Sequence, residues 1–192
     1  MSMKRRSPSN RAVGLAGFSR DRRGVSAVEF ALIAPIIIFF YFGMAEFCQA
    51  FMAQKRMGHS ASMVADLVAQ SQTALSQDQI DQVLDIGELI MKPFSADSLA
   101  IQVSSVTQNA DGDVVVDWSH GDLPDAPAPG DVIEIPANLL TNGESLIMSQ
   151  ADYAYDSPVG DFMPGITHFT QVHYLRPRSV NKVDCTDCPK VE

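Results

Sequence analysis

The sequence predicts an α+β protein, with an N-terminal transmembrane helix and helical stalk followed by a small antiparallel β-sheet domain. Three observations carry that prediction. Residues 25–45 form an apolar run with one acid, Glu29, and no base. Beyond it, apolar side chains recur at three- and four-residue steps, and past Ser98 they alternate instead.

As a helix, the 21 residues of the apolar run rise about 31 Å at 1.5 Å per residue, enough to cross the hydrocarbon core of a bilayer. The apolar part of a cleaved secretory signal is shorter, about 7 to 15 residues, and ends in a small-residue cleavage site. Here the run continues through Phe39-Phe40-Tyr41-Phe42 with no such step behind it. Pro35 removes a backbone donor and crowds the carbonyl of Ala31, so a kink is expected there. The helix is expected to continue past Glu46 into a polar stalk to about Gln70, where Met57, Ala61, Val64, Leu67 and Val68 make an apolar face that needs a partner. Ser76 with Gln79 three residues on is a capping-box pattern. It predicts a second helix bearing Ile80, Val83, Leu84 and Leu89 and stopped by Pro93. Both helices are expected to be short.

Ile101 and Val103 then alternate up to a turn at Asn109-Ala110-Asp111-Gly112, and Val114, Val116 and Trp118 are expected on one face of a returning strand. This predicts a β-hairpin. Residues 122–130 contain Pro124, Pro127 and Pro129 and read as loop. A short strand at Val132-Ile133-Glu134-Ile135 ends at Pro136, and two longer strands are predicted at 145–155 and 167–176. The expected organisation is a basic cytoplasmic leader (1–24), a membrane helix (25–53), a stalk and second helix (54–97), a sheet domain (98–178) and a C-terminal tail (179–192).

At 192 residues there is room for one membrane segment and one modest domain, which argues against a large enzyme core. Residues 1–24 hold seven bases and one acid, a net +6, so the rest of a chain of formal charge −9 carries −15. Bases before the apolar run and acids after it follow the positive-inside bias, placing the N-terminus in the cytoplasm and the sheet domain in the periplasm. An acidic domain argues against nucleic acid as a partner, because phosphate contact needs a basic surface. Cys48 lies in the apolar block, and Cys185-Thr186-Asp187-Cys188 form a C-x-x-C near the end. On the periplasmic side Cys185 and Cys188 can persist as a disulfide. Its short loop is expected to contribute little stability. Zinc wants four ligands, and no second cysteine pair or H-x-x-x-H completes a set.

The most specific stretch is Arg22-Arg23-Gly24-Val25-Ser26-Ala27-Val28-Glu29-Phe30, bases ending in glycine and then an apolar run whose fifth residue is glutamate. It resembles a prepilin cleavage site. The wider stretch Ala27-Val28-Glu29-Phe30-Ala31-Leu32-Ile33-Ala34-Pro35, with Phe42-Gly43-Met44-Ala45-Glu46-Phe47, is similar to the TadE-like proteins of tight-adherence (Flp) pilus systems. So are Tyr153, Tyr155, Pro158 and Tyr174-Leu175-Arg176-Pro177-Arg178 with a nearby cysteine. The resemblance implies a minor pilin or pseudopilin of the bacterial inner membrane, cut between Gly24 and Val25 by a membrane prepilin peptidase. It also implies that Glu29 and Phe30 act in assembly, Glu29 pairing with the new α-amine of a neighbouring subunit. The implied partners are the peptidase, other pilin-like subunits, the inner-membrane assembly platform and membrane lipid; no cofactor is implied. Phe30 departs from the tyrosine favoured by the major pilins.

Two alternatives stay open, an unprocessed single-pass protein with a periplasmic binding domain and a membrane-tethered metal-binding or enzymatic domain. For the second, the residues are unhelpful. His168 and His173, five apart in a strand, point to opposite faces. Asn109, Asp111 and Asp113 share part of a calcium-loop pattern, but His120 stands where its closing glutamate belongs. Neither a nucleophile elbow nor a phosphate-binding glycine loop is present in the sequence, and no enzyme is expected. Glu46, about four and a half turns after Glu29, either faces a partner helix or, as its position favours, marks the outer membrane interface.

Overall fold

The structure, a computed structural model, describes residues 24–157 and 168–189. The leader up to Arg23, Pro158 and Thr167 lie outside the described residues. The fold is α+β: helix α1 (Val25–Ala69), helix α2 (Gln77–Ile90) and strands β1 (Leu99–Gln108), β2 (Val114–Gly121), β3 (Val132–Ile133), β4 (Ser145–Ala154) and β5 (His168–Leu175). The chain divides into two compact units at the Phe42–Gly43 step.

In the first unit, α1 presents apolar side chains all round. Phe30, Leu32, Ile36, Phe39 and Phe40 are each more than half exposed, the pattern of a helix that a water-filled surrounding does not suit. It is the one described helix long and apolar enough to cross a membrane. α1 runs unbroken through Pro35 for 45 residues, so the apolar run continues into the stalk as expected, and only the expectation that the stalk helix would be short is corrected.

In the second unit, α1 has one covered side. Ala50, Ala53, Met57, Ala61, Val64, Ala65 and Val68 are buried, and the repeated alanines let other backbones approach closely. α2 begins at the expected capping box, with the Ser76 hydroxyl accepting from the Gln79 amide and the Gln79 side chain accepting from the Ser76 amide. Ile80 is fully buried and Val83 and Leu84 pack beside it. Leu89 is a correction, since it is 60% exposed. The residue of α2's last turns that faces α1 is Gly87, whose absent side chain leaves room for Val64 and Ser60, and the Ser60 hydroxyl donates to the Gly87 carbonyl at 2.6 Å.

The five strands are antiparallel in the order β3-β2-β1-β4-β5. One face of the sheet, with Ile101, Val103, Trp118, Ile147 and Ala151, packs on the helices. The other, with Val106, Val114, Val116, Leu146 and Met148, is covered by Leu140 and by partly buried Ile133, Ile135 and Leu139. The expectation that Val114, Val116 and Trp118 share a face is therefore wrong for Trp118. Ser105 pairs with Trp118 and Val106 with Val116, a register shift that leaves Asp117 unpaired. Such a bulge turns the residues beyond it to the opposite face. Asp117 uses the freedom to accept from the Thr107 hydroxyl at 2.6 Å and to pair with Lys182 at 2.6 Å. β3 is only two residues long and stops before Glu134.

Candidate functional site

Gly24 is exposed and precedes the first turn of α1. Among the described residues nothing lies within 4 Å of the point where its Cβ would stand, and its backbone is not in the left-handed region. The described fold thus makes no demand for glycine here, and any demand comes from outside it. Val25 opens α1 half exposed, and Phe30 is 71% exposed. Glu29 is exposed, with no ion pair to another described residue. A lone carboxylate on an apolar helix is costly in hydrocarbon unless a cation meets it.

Glu46, read from the sequence as a marker of the outer interface, is enclosed by the protein. It is 3% exposed, and its Oε2 is buried without a hydrogen-bond partner. Tyr155, directly after β4, is 6% exposed with its hydroxyl likewise unpartnered. Burial first, and then the charge of Glu46, push the Tyr155 hydroxyl up to about 12. Phe94 meets the Tyr155 ring edge-on at 6.2 Å, and both border an open cleft with Gln49, Asp97, Tyr153 and Asp156. Nothing in the local sequence around Glu46 predicts this, because Tyr155 is brought to it by the return of β4.

The C-terminal segment is packed into the domain. Val183 and Cys185 are fully buried, and Cys185 and Cys188 are joined in a disulfide. The segment runs beside the start of α2: the Leu75 amide donates to the Asp184 carbonyl at 2.9 Å, and the Thr186 amide to the Leu75 carbonyl at 2.8 Å. The Gln77 amide donates to Asp187 Oδ1 at 2.8 Å, which holds that carboxyl below its ordinary range and serves one of the unpaired donors of the helix start. At the other helix end, the Arg178 amide donates to the Ala69 carbonyl at 3.0 Å, while its guanidinium pairs with Asp66. Trp118 Nε1 donates to the Val183 carbonyl at 2.8 Å. This strap therefore ties together the end of α1, the start of α2 and the sheet. Its spaced polar residues gave no periodic signal by which to recognise it.

Cys185, Asp187 and Cys188 bring three potential ligand atoms within 4.8 Å of one another. With the sulfurs bonded to each other neither is a thiolate, so the group does not fit a metal held by thiolates. Asn109 Oδ1 accepts from the amides of Asp111 and Asp113 at 3.0 and 2.9 Å, so the calcium-like residues build a hairpin turn. His168 and His173 lie on opposite faces of β5, paired with Ala154 and Ser149. Burial holds the His173 imidazole below its ordinary value, and its Nε2 has no partner.

Residues 24–66 match the family of TadE-like proteins. The match opens on Gly24 and covers the apolar run together with most of the buried part of α1, leaving the sheet outside. No curated protein and no solved structure matches the chain.

Proposed function

We propose that this chain is a membrane-anchored minor pilin or pseudopilin of a tight-adherence pilus system. The observation that carries the reading is the TadE-like match, which begins at Gly24 and follows a helix whose first part is apolar on every side. In this reading a prepilin peptidase cuts between Gly24 and Val25 on the cytoplasmic face of the inner membrane. The glycine suits a peptidase that must approach the backbone closely, which agrees with a position where the fold itself requires none.

The cut leaves the α-amine of Val25 at the head of α1 and Glu29 one turn further on. The amine of one subunit then meets the Glu29 carboxylate of its neighbour, removing two costly charges from the apolar surroundings at once and setting the axial register of packed helices. The acidic sheet domain stands on the periplasmic side, and the role is structural. N-terminal analysis of the membrane-bound protein, with and without the peptidase, tests this. The expected result is a chain starting at Val25 only when the peptidase is active. A mature chain that keeps residues 1–24 in peptidase-positive cells would sink the cleavage and leave the alternative of an unprocessed single-pass protein.

A further inference from the structure

The side of α1 opposite its buried stripe is ordered in a way that the anchor and the assembly glutamate do not use. Met44, Phe47, Phe51 and Met52 are each about half exposed. At 100° per residue they fall within one arc, away from the arc of buried Ala50, Ala53 and Met57. The arc then turns basic at Lys55 and His59, with Arg56 at its edge towards α2, while Gly58 on its Phe47–Phe51 side is buried. Lys55 and Arg56 are the only Lys or Arg of α1, in a region beyond residue 24 that carries −15 in all.

Neither base has a carboxylate partner among the described residues, whereas Arg176, Arg178 and Lys182 each do. Lys55 lies 5.4 Å over the Phe51 ring, folded back along the apolar stem of the helix. Arg56 donates to the Ile90 carbonyl at 3.1 Å, satisfying one orphan acceptor at the end of α2.

The spacing suits a bilayer boundary. Phe51 lies about 9 Å along the helix from Ala45, the last residue of the apolar run, and Lys55 about 15 Å. The region between hydrocarbon and water is about 5–10 Å deep, and a lysine stem reaches back from beyond it to the phosphates. We propose that this exposed arc is a lipid-contact surface, its apolar part seated in the outer headgroup boundary and Lys55 and Arg56 meeting anionic headgroups. The inference rests on the reading of α1 as a membrane anchor. Its consequence is that Glu46, buried in the protein, faces away from the arc that meets lipid.

The native Cys48 is the free, exposed cysteine on this arc and takes a nitroxide label while Cys185 and Cys188 remain paired. The full chain is placed in phosphatidylcholine vesicles containing phosphatidylglycerol, and the label's collisions with oxygen and with a water-soluble nickel chelate are compared. References are Ile37→Cys and Asp111→Cys, each made in Cys48→Ser. The expected oxygen-to-nickel ratio at Cys48 is several-fold above that at Asp111→Cys, and it rises with the phosphatidylglycerol fraction less in Lys55→Gln than in the native chain. A Cys48 ratio equal to that of Asp111→Cys, with Ile37→Cys still lipid-like, overturns the surface and leaves the anchor standing; water-like ratios at all three overturn both. A label shielded from both reagents, with spin–spin broadening that disappears on dilution into Cys48→Ser chains, means that a second copy covers the arc and also overturns the proposal. An equal response to phosphatidylglycerol in Lys55→Gln overturns the headgroup assignment.

Discussion

Gly87→Ala tests how rigidly α2 is seated on α1. On helix propensity alone the change is favourable by up to about 1 kcal/mol, since alanine loses less backbone entropy than glycine. The tertiary surroundings reverse the sign. A Cβ at Gly87 would stand 2.8 Å from Val64 Cγ2, 2.9 Å from Ser60 Oγ and 3.1 Å from Ile101 Cδ1, where carbon contacts are favourable only beyond about 3.5 Å. Val64 is β-branched and has essentially one rotamer in a helix, so it cannot swing aside. α2 must therefore back off, which stretches the 2.6 Å bond from Ser60 to the Gly87 carbonyl. Overpacking of this kind costs about 1–3 kcal/mol and the strained hydrogen bond about 1 kcal/mol more. After the propensity gain, the expected net loss is about 1–3 kcal/mol.

Trp118, the one tryptophan of the chain and 1% exposed, reports unfolding by its fluorescence in a urea titration of the detergent-solubilised protein. The midpoint is expected to fall with an unchanged slope. Val64→Ala in the same background removes the methyl that clashes. Its cost as a single change, on the order of 2 kcal/mol for lost burial and cavity, is expected to shrink by at least about 0.5 kcal/mol beside Gly87→Ala. Unaltered or raised stability for Gly87→Ala, or strict additivity of the two changes, refutes the reasoning that α2 is locked at this contact.

Glu29→Ala is expected to leave membrane insertion and leader cleavage intact and to reduce the yield of sheared pili; Glu29→Ala, Glu29→Gln and native chains giving equal pili would remove the pairing role. Cys185→Ser with Cys188→Ser is expected to lower global stability little, because so short a loop removes little chain entropy from the unfolded state. The same double change should speed amide exchange at Gln77 and Thr186, whose bonds tie strap to helix; unchanged exchange would show that the strap holds without its disulfide. For Tyr155, raised from 10.0 to about 12, the unfolded chain ionises first, so its contribution to stability is present below pH 10 and is lost as pH rises through about 12. Tyr155→Phe should flatten that alkaline decline in urea midpoints, and an unchanged decline would assign it elsewhere.

Several features were legible in the sequence because their causes are local. An unbroken apolar run dictates a helix whose surface suits lipid. Ser76 and Gln79 specify a helix start through bonds that span three residues, and Asn109 makes a turn with its own neighbours. Alternation at Ile101 and Val103 shows a strand, and Gly24 with Glu29 forms a contiguous pattern that the TadE-like match also opens on.

What lay out of reach was whatever depends on residues meeting across long separations. Alternation around Trp118 could not reveal that Asp117 drops out of register, because the bulge depends on Thr107 and Lys182 as well as on its own strand. A helical repeat makes Leu89 look like a core residue, yet α2 rests on α1 through Gly87, so the contact falls on the residue with no side chain. Glu46 has the sequence setting of an exposed acid, and the tertiary structure buries it by laying Tyr155 beside it. The strap of residues 176–189 has no periodicity because its role is to donate and accept single hydrogen bonds to helix ends and strands brought near by folding. The sequence by itself thus determined the elements and the long apolar helical run, whose energies arise within a few residues; only the tertiary structure decided which side chains are buried together, since that depends on the proximity of segments distant along the chain.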